Sequence, residues 1–270
     1  MIGRGAPLLR AAGLLLAGTL AGPAWGAVLT FTASSLVGDA TTGVAVAEGG
    51  VRFTDGVIVA TGGRLVLDTR RRTATLATGV VRSPDGTLTA QTISARYLGT
   101  RVSEVTASGA PSLAMPRGRM SAAEIVLLVA EERLTASGGV RLRAPPDLVA
   151  TGSRLEYGRR TGEVTMAGPV TLKTARGTIA GTRLTGQADL QRARLTGPVT
   201  ARFGAINAAA DEAALDVPAK TVTLSGTVRI RQGGRLLQAS KVTIYYVSGR
   251  LVAEGTTHLE IPGEPGAPRP

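Results

Sequence analysis

One short sequence pattern recurs along the chain at a steady spacing, and this repeat constrains the fold more than any other feature. Two clear copies are Leu134–Leu142 (LTASGGVRL) and Val222–Ile230 (VTLSGTVRI). Each copy has a glycine at its centre, and these glycines are Gly49, Gly79, Gly109, Gly138, Gly168, Gly197, Gly226 and Gly255. Successive glycines are 29 or 30 residues apart. Such a period is typical of a repeat architecture, in which each unit packs against its neighbours.

Apolar and polar residues alternate within each copy. Threonine commonly stands three residues before the glycine and arginine three residues after it, as in Arg52, Arg82, Arg141 and Arg229. The positions two and four residues after the glycine are mostly apolar. An alternation with period two predicts a β-strand that has one buried face and one wet face. A glycine within such a strand permits a bulge or a sharp bend.

A second, weaker motif begins about 11 residues after each glycine. It is seen in Leu148–Tyr157 and Leu237–Tyr246, and turn-forming residues such as Gln232-Gly-Gly234 separate it from the first motif. Each repeat therefore predicts two strands joined by turns. About eight repeats give about sixteen successive rungs, where a rung is one passage of the chain across the sheet. The segment Met120–Leu134 could be argued as a helix, but it aligns with the neighbouring repeats, which favours strands.

The fold class predicted from this pattern is all-β. The favoured architecture is an elongated antiparallel β-jellyroll, an open trough built from about eight two-strand repeats of 29–30 residues. A parallel β-helix, with one repeat for each coil, is the alternative. The sequence contains no cysteine, so ladder hydrogen bonds and stacked apolar faces have to hold the sheet together.

The chain divides by composition into three parts. Residues 1–26 resemble a secretory signal peptide, with basic residues at Arg4 and Arg10, a short apolar core and small residues before a cleavage site near Gly26/Ala27. Residues 27–262 carry the repeats, as one extended module or two fused ones. Residues 263–270 are rich in proline and glycine, and we expect them to be disordered. A retained N-terminal anchor is the alternative to cleavage.

The chain is strongly basic, with a formal net charge of +12. A charge of this size suits polyanionic partners, such as anionic lipid headgroups or a phosphorylated glycolipid. Because the signal peptide predicts export, nucleic acid is not an expected partner. A general role of the charge in solubility is the alternative interpretation.

The segments that carry a family resemblance are Gly49–Phe53, Val59–Asp68 and Asp85–Tyr97. They resemble the repeats of the OstA-like family, the β-jellyroll modules of the LptA-type bridge proteins in lipopolysaccharide transport, and the resemblance extends from Leu29 to about Ile261. It implies a periplasmic protein whose modules join end to end and carry lipopolysaccharide, or a similar envelope amphiphile, from the inner to the outer membrane along a hydrophobic groove. The chain looks longer than a minimal bridge protein and is poor in aromatic residues, so small aliphatic side chains would line the groove.

The candidate lipid-lining residues are the apolar side chains two and four positions after the glycines. They are Val51, Phe53, Val140, Leu142, Val170, Leu172, Val228 and Ile230. The same side chains could instead pack against one another as a dry core, since alternation alone does not distinguish a groove from a core. A structural or adhesive β-solenoid without lipid is therefore the alternative function.

The two ends of the repeat array are the predicted partner surfaces. An open edge strand favours pairing with another strand, so we expect head-to-tail association with other β-jellyroll modules through Leu29–Leu36 and Leu251–Ile261. No enzymatic activity, metal or cofactor is predicted. The one histidine, His258, is at a polar-face position where a solvated side chain is expected, and the sequence has no cysteine with which a zinc cluster could form.

Overall fold

The computed structural model describes residues 30–54, 58–98, 101–116 and 118–261. The predicted signal peptide and the predicted C-terminal tail lie outside the described residues. Twenty strands cover most of the described chain. They are β1 (Thr30–Thr32), β2 (Ser35–Asp39), β3 (Val44–Thr54), β4 (Val59–Asp68), β5 (Thr73–Ser83), β6 (Gly86–Leu98), β7 (Arg101–Ser108), β8 (Ser112–Met115), β9 (Gly118–Ser121), β10 (Glu124–Leu128), β11 (Arg133–Ala144), β12 (Leu148–Gly158), β13 (Glu163–Lys173), β14 (Gly177–Gln187), β15 (Arg192–Phe203), β16 (Ile206–Asp216), β17 (Thr221–Gln232), β18 (Arg235–Tyr245), β19 (Arg250–Glu254) and β20 (His258–Glu260).

Neighbouring strands pair antiparallel. Four rungs are each broken into two strands. β1 and β2 form one rung and both pair with β3, and β19 and β20 form another and both pair with β18. β7 and β8 form a third rung and both pair with β6, and β9 and β10 form the fourth, in which β9 pairs with β8 and β10 pairs with β7. The twenty strands therefore make sixteen rungs, as the repeat predicts. The prediction of an all-β antiparallel jellyroll is confirmed, and the parallel β-helix is wrong for the described residues.

Four of the repeated glycines, Gly49, Gly168, Gly197 and Gly226, lie at β-bulges. In the pairing of β17 with β18, Ser225 lies opposite Lys241, and the next paired residue, Val228, lies opposite Ala239. β17 therefore advances by three residues where β18 advances by two. The same shift follows Glu48 in β3, Ala167 in β13 and Thr196 in β15. Gly226 has φ +92°, a left-handed conformation that glycine adopts without the steric cost of a Cβ atom. The bulge expected from the sequence is therefore present.

A side chain 15 residues earlier in the sequence fills the space beside six of the repeated glycines, which are Gly49, Gly138, Gly168, Gly197, Gly226 and Gly255. A Cβ atom on Gly168 would lie 2.8 Å from Cβ of Ser153, and one on Gly138 would lie 2.6 Å from Cβ of Ala123. Where this side chain is polar it also bonds to the bulge, since Oδ2 of Asp211 accepts a hydrogen bond of 2.8 Å from the amide of Thr227. These six glycines thus each have a partner at the same distance in the sequence.

Each rung has two arms, one on each side of its bulge. In the glycine-containing strands, the residues before the bulge form arm A and those after it form arm B. The neighbouring strands run in the opposite direction, so their first residues belong to arm B and their last residues belong to arm A. In β17, arm A is therefore 221–225 and arm B is 228–232. The chain forms two compact units: unit 1 comprises Met1–Val140 with Glu156–Thr161, and unit 2 comprises Arg141–Leu155 with Gly162–Pro270.

The segment Met120–Leu134, the one possible helix in the sequence, is extended. It contributes to β9, forms β10 and enters β11. Among the described residues there is no helix with the length and apolarity needed to cross a membrane.

Candidate functional site

The inward-facing side chains of the rungs form an apolar interior. In the described residues, every buried hydrophobic side chain is Ala, Val, Leu, Ile, Met or Phe, and the buried polar side chain is Thr174. Thr174 Oγ1 lies at the turn after β13 and donates a hydrogen bond of 3.2 Å to the carbonyl oxygen of Gly177. No buried side-chain nitrogen or oxygen in this part of the chain lacks a partner. The interior therefore presents hydrocarbon and almost no polar atoms.

All eight candidate residues from the sequence lie in this interior. Their exposed fractions are between 0% and 2%: Val51, Phe53, Val140, Leu142, Val170, Leu172, Val228 and Ile230. Val170 and Leu172 share arm B of β13, and Val228 and Ile230 occupy the same places in β17, where Val228 pairs with Ala239 and Ile230 with Leu237. The structure places these side chains on the inner face. That they contact lipid stays a prediction.

Sequence reasoning missed half of the interior, the half that comes from the second motif. In β16, the buried residues are Ile206, Ala208 and Ala210 and then, after a step of three, Ala213 and Leu215. The step falls at Asp211-Glu212, where two consecutive side chains face outward opposite the bulge of β17. The signal was available, because each second motif has two consecutive polar or small residues at this place, as in Ser240-Lys241. A search for strict alternation does not detect it.

Turns at the ends of the two arms touch each other within each unit. In unit 1, Nη2 of Arg159, after β12, lies 2.8 Å from Oδ2 of Asp85, between β5 and β6. In unit 2, Nε2 of Gln191 donates a hydrogen bond of 3.0 Å to the carbonyl oxygen of Pro145. These contacts join an arm A turn to an arm B turn, so they bridge the opening between the arms. We call them the cross-arm contacts.

A third cross-arm contact is an aromatic pair. The ring of Phe203, at the arm B end of β15, stacks on the ring of Tyr246, in the arm A turn after β18, with centroids 5.8 Å apart and planes inclined by 17°. Burial, and to a lesser extent the charge of Asp216, raises the pKa of Tyr246 above its usual value. The phenol therefore stays neutral through the physiological range, and the pair behaves as an apolar contact.

The outer face carries the charges. Arm A combines both signs: Nε of Arg64 lies 3.0 Å from Oε1 of Glu48 in unit 1, and Nζ of Lys241 lies 2.8 Å from Oε2 of Glu254 in unit 2. Such exposed pairs contribute little to stability, at about 0–1 kcal/mol each. Their effect here is to balance the charge of arm A.

The described residues contain no cluster of His, Cys, Asp or Glu that could hold a metal ion. His258 is exposed, with Nε2 3.2 Å from Oε1 of Glu260 on the same strand. This is the solvated position expected from the sequence. The part of the chain that the structure describes therefore offers the apolar interior, the charged outer face and the two end rungs as candidate sites.

Comparison with known proteins agrees with the resemblance read from the repeats. Residues 207–266 match the family model described as "LptA/(LptD N-terminal domain) LPS transport protein". Among solved structures, the chain is similar to LptH from Pseudomonas aeruginosa, described as the LptA-homologous periplasmic component of the conserved lipopolysaccharide transport device. That match has 16% identity and a TM-score of 0.21, and it covers 48% of this chain and 76% of LptH. No curated protein sequence matches the chain. The family match confirms the resemblance to the OstA-like, LptA-type family for residues 207–266.

Proposed function

We propose, from the family match of residues 207–266, that this protein carries lipopolysaccharide or a similar anionic amphiphile through the periplasm. The observation that supports this most strongly is that the matched residues include three successive rungs of the apolar interior, β16 to β18. The signal peptide expected at residues 1–26 would direct the chain to that compartment and be removed. Intact mass of protein purified from the envelope tests cleavage, because retained Met1 would contradict it.

The interior suits acyl chains because its walls are hydrocarbon. Transfer of a methylene group from water into such surroundings contributes about 0.8 kcal/mol, so a lipid chain is held without any specific polar contact. Repeated rungs offer many equivalent positions along which a chain can move. Since the interior side chains are close to fully buried, lipid enters only if the arms separate. The cross-arm contacts, such as Phe203 with Tyr246, open in that step.

Photo-crosslinking tests this proposal directly. A compact diazirine side chain at Val170 or Val228 is expected to form lipid adducts when the protein is irradiated in its own envelope, because both positions face the interior. Mass spectrometry of the purified protein identifies the adduct.

The control positions are Thr165 and Thr223, which face outward on arm A of the same two strands. We expect no lipid adduct at these positions. Folded protein that gives no adduct at Val170 or Val228, or equal adducts at the inward and outward positions, would contradict the proposal.

A structural β-solenoid without cargo is the second candidate function, favoured by the near-complete burial of the interior. Native mass spectrometry of protein taken from the envelope distinguishes the two. Bound lipid is expected for the carrier, and a bare chain mass is expected for the structural protein.

The end rungs are the proposed sites of contact with other jellyroll modules. Among the described residues, β2 pairs only with β3, and β20 pairs only with β18, so each leaves one hydrogen-bonding edge open. Large exposed apolar side chains also concentrate there: Val37 on β2 is 70% exposed, Leu259 on β20 is 55% exposed and Ile261 follows it at 63%. An open edge with apolar side chains favours addition of a strand from a second chain.

Head-to-tail association is expected to be lost in a Val37→Lys variant, because a charge at the open edge opposes strand addition. Light scattering across a range of concentrations measures it: the parent chain increases in mass with concentration and the variant stays monomeric. Val247→Lys is the matched control, since Val247 is 52% exposed but lies in a turn. A parent chain that is monomeric at every concentration would contradict self-association.

A further inference from the structure

The charges of unit 2 are segregated between its two arms. Arm A carries acidic and basic residues in contact, such as Arg194 with Glu212 and Arg192 with Asp216. The arm B strand segments of β11 to β18 contain no acidic residue within the described chain. Their basic side chains are all exposed, and the acidic residues of this arm are Asp147, in the turn between β11 and β12, and Glu260, on the end strand β20. Arm B of unit 2 is therefore a basic surface, and arm A is a balanced one.

Basic residues on arm B follow the repeat. Five positions after their glycines stand Arg143, Lys173, Arg202 and Arg231. The corresponding positions of the three preceding repeats are Thr54, Pro84 and Ala114. The basic position is thus confined to four successive repeats, because the corresponding residue after Gly255 is the acidic Glu260, at the end of the same ladder row. All four basic side chains face outward and are exposed.

Ladder pairing aligns three of these cations in one row across the strands. Lys173 pairs with Thr178, Thr178 with Arg202, Arg202 with Asn207 and Asn207 with Arg231. A cation therefore occupies every second strand, and because neighbouring strands are about 4.8 Å apart, the cations are about 10 Å apart. We call this set, Lys173, Arg202 and Arg231, the cation row.

The residues between the cations are small and uncharged, so the surface around the row is flat. Thr178 and Asn207 separate the cations. A second row of outward side chains, two residues closer to the bulge, consists of Thr171, Ala180, Thr200, Ala209 and finally Arg229. Arg202 donates a hydrogen bond of 2.9 Å to the neutral side chain of Asn207. Among the described residues of β13 to β18, no aromatic side chain stands on this outer face, and nucleic acid binding commonly uses aromatic side chains on which bases stack. A flat array of regularly spaced cations complements a surface of phosphate headgroups.

From this arrangement we propose that the cation row of unit 2 docks the protein, by the outer face of arm B, onto an anionic phospholipid membrane. The contact is separate from the interior and does not depend on the proposed transport. Each basic side chain near an anionic lipid surface contributes a roughly fivefold gain in binding. Three together contribute a roughly hundredfold gain, which falls with added salt.

Vesicle co-sedimentation of the full chain tests the proposal. The variant K173Q/R202Q/R231Q removes three charges from arm B, and R192Q/R194Q/K241Q removes three from arm A. Both have the same net charge, and both alter exposed side chains only. On vesicles with phosphatidylglycerol in phosphatidylcholine, we expect the arm B variant to bind roughly a hundredfold more weakly than the parent. The arm A variant is expected to bind within a few-fold of the parent.

Three outcomes would overturn the proposal. Equal losses in the two variants would show that net charge alone governs binding. Equal binding of the parent to pure phosphatidylcholine vesicles would show that the contact is not with anionic headgroups. Release by inorganic phosphate at constant ionic strength, greater than release by chloride, would show a site for free phosphate and not a membrane surface. Lipid adducts in the interior bear on the proposed transport function and leave this test unaffected.

Discussion

A Gly226→Ala variant is expected to lose about 2–4 kcal/mol of unfolding free energy, because the bulge of β17 cannot accommodate a Cβ atom. Gly226 has φ +92°, and holding a residue other than glycine in a left-handed conformation costs about 1–3 kcal/mol. The added atom would also lie 2.6 Å from Cβ and 2.7 Å from Cγ of Asp211. Asp211 would have to move, and the amide of Thr227 would lose its hydrogen bond to that carboxylate. Denaturant unfolding measures the loss.

The control for this experiment is Gly204→Ala, in the turn between β15 and β16. Gly204 also has positive φ, at +57°, but nothing lies within 4 Å of the position that its Cβ would take. We expect a cost of about 1 kcal/mol there, from the backbone conformation alone. Adding Asp211→Ala to Gly226→Ala is expected to restore part of the lost stability, since it removes the clashing atoms. Equal losses for Gly226→Ala and Gly204→Ala would mean that the side chain beside the bulge is not important.

A Leu224→Ala variant is expected to lose about 2–5 kcal/mol, the range for deletion of a fully buried leucine side chain. Leu224 is 0% exposed and faces Val242 and Ala213 on the two neighbouring strands. The loss combines the missing apolar burial with the cavity that remains, and a sheet braced by ladder hydrogen bonds on both sides has little freedom to close it. The measurement is again the free energy of unfolding.

Leu236→Ala is the matched control, because Leu236 is only partly buried and pairs with Arg231 on the outer face of arm B. We expect it to cost less than about 1 kcal/mol. The cavity variant also bears on the proposed function, since an apolar cavity binds apolar ligands. A short alkyl amphiphile that fills the cavity should raise the stability of Leu224→Ala more than that of the parent, in proportion to its occupancy. Equal costs for the two leucines would contradict the inward position of Leu224.

Much of this fold could be predicted from the sequence, because the repeat reports backbone geometry directly. Glycine spacing predicts the bulges, and alternation on both sides of each glycine places Val228 and Ile230 inside and Arg229 outside, where the structure has them. The antiparallel pairing was predicted by the family resemblance more than by the pattern, since a parallel β-helix uses the same alternation.

Three features could not be predicted by alternation alone. In the second-motif strands, each bulge of the adjacent strand shifts the inner face by one residue, so Ala239 and Val242 are both buried although three positions separate them. The residue that has positive φ is also not the repeated glycine in every strand. In β5 it is Thr78, at +51°, and not Gly79. The cross-arm contacts join residues far apart in sequence, such as Arg159 and Asp85, and no local pattern reports them.

The candidate site was only partly accessible to sequence reasoning. The inward direction of the eight predicted residues follows from their spacing, but their burial depends on how closely the two arms approach, which is set by turn residues such as Tyr246 and Gln191. Prediction of the charge difference between the arms would have required knowledge of which strand residues lie before each bulge and which lie after it. Composition gave the total charge and not its distribution.

The identical register of successive hairpins in unit 2 has a consequence for how such chains change length. The pairing of β15 with β16 repeats that of β17 with β18, including the position of the bulge. Removal of residues 192–220 would bring β17 after β14 in the place that β15 now occupies, with every inward side chain still facing inward. Gene duplication or excision of one period can therefore lengthen or shorten the sheet in steps of two rungs without changing which side chains face inward.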